Sequence, residues 1–119
     1  VAFELLPYPS PFKKQLDHIL GKYPQSRDAT LKFIEFIKKS PTTQGDRIPR
    51  YGDLHLRKAR CGFKEHGISK RDGARIVFIV HEEKRKISLI AIYLHSEYSK
   101  EASINEMLKR NLKAILDEI

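Results

Sequence analysis

With 119 residues, 40% of them hydrophobic and 32% charged, the chain has room for one domain and too much apolar character for a disordered tail. It holds no apolar run near the ~20 residues that span a bilayer. Residues 1–10 show no basic stretch followed by an apolar one, so the expected setting is the cytoplasm with no secretion signal. The single cysteine, Cys61, excludes an internal disulfide and a cysteine zinc cage, while 23 Lys and Arg against 15 Asp and Glu leave a net charge of +8 that calls for an acidic partner.

In chain order, the apolar run 2–6 reads as a short strand. Ser10-Pro11 reads as a helix N-cap followed by Pro at the first helical position. Phe12, Leu16, Ile19, Leu20 and Tyr23 then recur at helical spacing until Gly21 and Pro24 mark an end. A second helix is expected from about 26–28, with Leu31, Ile34 and Ile37 on one side and Phe33 and Phe36 widening the stripe. It closes at Ser40-Pro41, because the residue before Pro is pushed out of the helical region. The two helices form a hairpin. Residues 41–52 read as a loop, 53–61 as a strand, and the glycine-punctuated stretch 61–73 as a second loop. Residues 74–80 and 87–95 read as two strands joined by the polar turn 82–86. Ser103 and Glu106 fit a capping box, and Ile104, Met107, Leu108, Leu112, Ile115 and Ile119 make one stripe of a closing helix. The order β-α-α-β-β-β-α predicts an α+β domain over 1–119. Its helical hairpin packs on one face of a twisted, largely antiparallel sheet, and a helix ends the chain.

The charge is not spread evenly. Residues 47–75 carry nine basic side chains against Asp53, Glu65 and Asp72, so six of the eight surplus charges lie in a quarter of the chain. A merely solubilising surface would distribute them, and a concentrated patch points to a polyanion. Period two then sorts the side chains by face. Lys58 and Arg60 share one face of their strand, while Arg57, Ala59 and Cys61 take the other. Arg75 lies with Val77 and Ile79, and Tyr93 with His95. Pairing the neighbouring strands brings Lys58, Arg60, Arg75, Tyr93 and His95 toward one face at one end of the sheet.

That set suits a phosphodiester. Arg and Lys neutralise the phosphate and the charge that grows in the transition state. His95 can carry a proton near neutral pH, and Tyr93 can position reacting groups or stack on a base. Taken singly, each has a plainer reading. An Arg at a strand start is often an ion-pair residue, a Tyr on a half-buried strand is packing, and a lone His at a strand end is surface. The set carries the weight. No zinc-protease or deaminase motif, carboxylate cluster, glycine-rich phosphate loop or serine elbow is present, and Cys61 with His66 at C-x4-H is a poor zinc signal. The chemistry expected is therefore metal-free and cofactor-free.

The runs Leu56-Arg57-Lys58-Ala59-Arg60, Lys70-Arg71-Asp72-Gly73-Ala74-Arg75-Ile76-Val77-Phe78 and Ile90-Ala91-Ile92-Tyr93-Leu94-His95-Ser96-Glu97 resemble the RelE/ParE superfamily of type II toxins, in particular its RelE/HigB-like branch. The resemblance implies the small RelE-like fold and metal-free mRNA cleavage on the ribosome through the RNA 2′-hydroxyl, leaving a cyclic phosphate. It also implies a cognate antitoxin that covers the basic surface. By the resemblance Lys58, Arg75, Tyr93 and His95 are the catalytic candidates, with Arg75 on the scissile phosphate and His95 standing where the family has Lys or Arg. Arg57, Arg60, Lys64, Lys70 and Arg71 are the RNA-binding candidates, and Glu97 completes the last motif as a capping or pairing residue. Two other functions fit the same charge: a ParE-like inhibitor of DNA gyrase, and a basic module that binds nucleic acid without cutting it. A membrane-surface role fits worst, because the basic segment is not an amphipathic helix.

Overall fold

The computed structural model describes residues 3–118, the side chains of 117 and 118 excepted. Helix α1 (Ser10–Lys22) opens after Pro9, whose extended backbone and carbonyl, accepting from Lys13 N at 3.0 Å, start the helix. Ser10 is therefore the first helical residue and not the cap. Phe12, Leu16 and Ile19 form its buried face. After the 3-10 turn Pro24–Ser26, helix α2 (Arg27–Lys39) buries Thr30, Ile34 and Ile37. Its inward stripe is rotated from the expected one: Phe36 is 52% exposed and Leu31 also faces outward.

The sheet has five strands in the order β1-β5-β4-β3-β2. Strand β1 (Glu4–Leu5) pairs parallel with the start of β5 (Lys86–Leu94). β2 (Asp46–Ile48), β3 (Leu56–Cys61), β4 (Ala74–His81) and β5 are antiparallel neighbours. β2 lies inside the stretch expected as a loop. Three residues between Gly45 and Pro49 are too few to show an alternating pattern, and only β3 makes them a strand. The element order therefore gains one strand. β3 starts at Leu56, later than expected, because Tyr51 to Leu54 form a turn closed by Leu54 N on Tyr51 O at 3.1 Å.

The helices do not share one face. α1 and α2 bury Phe12, Ile19, Ile34 and Ile37 against Ile76, Phe78, Ile87, Leu89 and Ile92. Helix α3 (Glu101–Glu118) covers the opposite face, where Met107 and Leu108 meet Leu56, Val77, Ile90, Ala91 and Tyr93. A sheet covered on both sides explains why the strands at its centre run nearly continuously apolar. α3 begins two residues before Ser103, so Ser103 and Glu106 lie within the helix and make no capping box. Ala2 of the expected first strand and Ile119 of the last stripe lie outside the described residues.

β5 contains a bulge. Val77 pairs with Ala91 and Phe78 with Leu89, so Ile90 is the extra residue. Its freed carbonyl accepts from Asn111 Nδ2 at 3.0 Å. Asn111 also donates to Gln15 Oε1 at 3.0 Å, and Ile92 N donates to the same oxygen at 3.3 Å. Asn111 is buried, so its loss leaves the Ile90 carbonyl unpartnered, at a cost of about 1–3 kcal/mol. Asn111→Ala should lower the unfolding free energy by that amount in urea titration. A loss within about 0.5 kcal/mol, the range of an ordinary surface substitution, would contradict the role given to this network.

Candidate nucleic-acid interface

Register places three candidate side chains in one row. Arg60 pairs with Arg75 across β3 and β4, and Arg75 pairs with Tyr93 across β4 and β5. Strands lie about 4.8 Å apart, so the row spans about 10 Å. Lys58 sits two residues back from Arg60 on the same face, opposite Val77 on one side and Asp46 on the other. Lys58, Arg60 and Tyr93 line a cleft of about 350 Å³ between β2, the sheet and the start of α3, together with Asp46, Ser99, Glu101 and Asn105. With Arg47 also on its lining, the cleft mixes three cations with two carboxylates.

Arg75 is held differently. It is only 5% exposed. Nη1 donates to Lys70 O at 3.1 Å and Ala74 O at 3.4 Å, and Nη2 donates to Arg71 O at 2.8 Å. Burial and then the neighbouring Arg60 cation pull its pKa down, and Tyr93 and Asp72 pull it partway back. An arginine stays charged through such shifts, so Arg75 ties the end of the 62–73 loop to the sheet and presents a positive charge beneath the row. Tyr93, 3% exposed, packs edge-on against Tyr98 with ring centroids 5.6 Å apart. Burial pushes its hydroxyl pKa up and Arg75 lowers it in part. The phenol is therefore a neutral donor at physiological pH, and not a base.

The other candidates separate. His95 is exposed just past the end of β5, where its backbone N donates to Gly73 O at 3.0 Å, and it is not among the residues lining the cleft. Arg57 lies on the opposite face, as the alternation requires, and braces β2: Nε donates to Gln44 O and Nη2 to Gly45 O, both at 2.8 Å. Gly45 has φ +66°, and a Cβ there would strike the Lys58 backbone oxygen, so the edge of the cleft needs glycine. Lys70 and Arg71 are exposed on the loop that Arg75 holds. Lys64 stands apart on the 3-10 turn Lys64–His66, whose His66 ring packs on Tyr23 at 5.1 Å. Cys61 is buried in the core on the hairpin side, and burial pushes its thiol to about 11, which makes it unreactive.

One pairing had no signal in the sequence. His18 Nε2 of α1 lies 3.0 and 2.9 Å from the two carboxylate oxygens of Glu97, 79 residues away. This gives Glu97 its partner. The pair lines a second cleft, of about 600 Å³, together with Tyr93 and Tyr98.

No family model matches the chain, and no curated protein matches it. Among solved structures, the chain is similar to the free state of a double Arg-to-Ala mutant of the E. coli toxin RelE. The TM-score is 0.59 at 17% sequence identity, over 92% of this chain and 98% of that one. At that identity the likeness establishes the fold: an α+β RelE-type sheet with its helical hairpin and C-terminal helix. Among the described residues no helix is long and apolar enough to cross a membrane.

The grip of Arg75 on the loop generates a test. Arg75→Lys keeps the charge but cannot reproduce the planar fork of donors. Amide exchange at Asp72, whose N–H bonds Ser69 O at 3.2 Å, should quicken by at least about tenfold, since one such bond is worth about 1 kcal/mol or more. Unchanged protection would show that the loop holds without the guanidinium.

Proposed function

We propose that residues 1–119 form the toxin of a toxin–antitoxin pair, an endoribonuclease that cuts mRNA on the ribosome in the cytoplasm, without metal or cofactor. The observation that carries this reading is the row Arg60–Arg75–Tyr93 with Lys58 beside it, of which Lys58, Arg60 and Tyr93 line a cleft large enough for part of a nucleotide. The likeness to a structure described as toxin RelE and the basic surplus of residues 47–75 support it.

In this reading Lys58 and Arg60 hold the scissile phosphate from the cleft. Arg75, with the N–H groups its carbonyl partners leave unused, adds charge from below. The 2′-hydroxyl of the preceding ribose attacks phosphorus in line, the bond to the 5′-oxygen breaks, and a cyclic phosphate and a 5′-hydroxyl remain. The cations are already in place when charge builds on the phosphoryl oxygens, so no reorganisation is required at that moment. Tyr93 keeps its proton and orients the nucleotide. Arg57 acts through β2, and Lys70 and Arg71 extend the cationic track for flanking phosphates. A cognate antitoxin with an acidic surface would cover this face. His95 is the sequence candidate for proton transfer, but it stands outside the cleft.

The burial of Arg75 favours one second reading, a face that binds RNA without cutting it. Nothing in the site favours gyrase as the target. Translating an mRNA in a cell-free system with the purified chain separates these functions. The expected result is discrete cleavage within codons, reduced at least about tenfold by Lys58→Ala or Arg60→Ala through loss of charge stabilisation. Binding with a steep salt dependence but no cleavage would establish the second reading. Intact mRNA with both variants indistinguishable from wild type would end the first.

A further inference from the structure

The cleft that holds Lys58 and Arg60 opens onto a larger neighbour. Ile48, Pro49, Glu101 and Asn105 line it, and the same four residues line an adjoining cleft of about 710 Å³. That cleft runs between the segment leaving β2 and one side of α3. Glu101, Asn105, Lys109 and Lys113 recur at every fourth residue, so they form a single stripe of the helix along it. Pro49, Arg50 and Tyr51 belong to the opposite wall. The two clefts are one groove, with Glu101 and Asn105 at the join.

Beyond the join the charged side chains on the lining are cations. Arg50, Lys109 and Lys113 are exposed, and among the described residues none of the three makes an ion pair. Over the whole groove Arg47, Arg50, Lys58, Arg60, Lys109 and Lys113 stand against Asp46 and Glu101 alone. Lys109 and Lys113 lie about 6 Å apart along the helix axis, so they form a track and not a point. Arg50 has φ +74°, a left-handed backbone that glycine or asparagine adopts with less strain, and a cation occupies it all the same. Tyr51 is half-buried against the core on the α3 side, which fixes its ring at the groove wall. Unpaired cations in line with a fixed aromatic ring suit the phosphates and bases of a single strand. Continuity with the Lys58 and Arg60 cleft makes that strand the one whose phosphate those two residues hold.

We infer that the groove between α3 and residues 48–51 is an adjoining RNA subsite, in which Arg50, Lys109 and Lys113 hold phosphates of the bound strand and Tyr51 stacks on a base. This rests on the reading that Lys58 and Arg60 hold RNA. It lengthens the footprint past the scissile phosphate, and it places two of the binding cations in α3, outside the basic segment 47–75.

The test measures binding of two RNAs to the intact chain over a range of salt concentrations. Both carry 2′-O-methyl groups, which block the attacking oxygen. One is a trinucleotide sized for the first cleft, and the other a dodecanucleotide that reaches the adjoining one. For the longer strand, Lys109→Gln combined with Lys113→Gln should flatten the slope of log K against log salt by about 1.4, since each single-strand phosphate contact contributes about 0.7. The loss should be confined to that strand. Arg50→Gly should also weaken the longer strand, while its thermal midpoint holds or rises because glycine relieves the left-handed backbone. A wild-type slope in the lysine variant, or an equal loss on both strands, would overturn the subsite. So would weaker capture of the cognate antitoxin with RNA slopes unchanged, which would assign the groove to a protein. A wild-type chain that binds neither strand would remove the RNA reading of both clefts. Lysine-dependent binding of the longer strand without cleavage of ordinary mRNA would remove only the nuclease and leave this subsite standing.

Discussion

The site depends on one extra residue in β5. Ile87 and Leu89 point to the hairpin core, and an uninterrupted strand would send residues 91 and 93 the same way. Inserting Ile90 reverses the alternation, so Tyr93 turns to the α3 face and stands beside Arg75. A bulge leaves its backbone polar groups without ladder partners. Asn111 and Gln15 supply them, which also ties α1, β5 and α3 together at one buried point. The polar network thus stabilises the geometry of the candidate site as well as the packing of three elements.

The basic segment divides its cations between two duties. Arg57 and Arg75 use their guanidinium forks on backbone carbonyls, Arg57 bracing the segment that leads into β2 at the edge of the cleft and Arg75 holding the 62–73 loop. Lys58 and Arg60 are left to meet a ligand, with Lys70 and Arg71 exposed nearby. A planar guanidinium can accept this inward role because it satisfies several carbonyls at once and stays charged when partly desolvated. A formal charge count therefore overstates what the surface offers. The carboxylates of Asp46 and Glu101 reduce it further, and they give the cleft a boundary that a uniform basic patch would lack.

β4 and β5 were legible because long apolar stretches bounded by glycine or charged turns read as strands whatever surrounds them, and most of β3 was legible from the alternation that opens residues 53–61. The row Lys58, Arg60, Arg75 and Tyr93 followed from alternation plus neighbour pairing, although the bulge that makes it hold left no trace in residue types. β2 was hidden because three residues between Gly45 and Pro49 become a strand only by pairing with β3. Ser103 and Glu106 matched a cap by spacing alone, and the helix begins two residues earlier, at Glu101. In α2, Leu31 and Thr30 both fit a helical period. Packing against the sheet chose Thr30, at the expense of the more apolar residue.

By itself the order of residues determined the class of fold, the bounds of most elements to within a few residues, and the concentration of positive charge in one segment. These depend on short-range periodicity and on composition, which are written along the chain. Tertiary structure alone decided that α3 lies across the sheet from the hairpin, that Arg75 is buried under the loop it holds, that His95 falls outside the cleft, and that His18 meets Glu97. Each of those depends on which distant segments come within a few ångströms of one another. Such proximity is a property of the folded surface, and no local pattern encodes it.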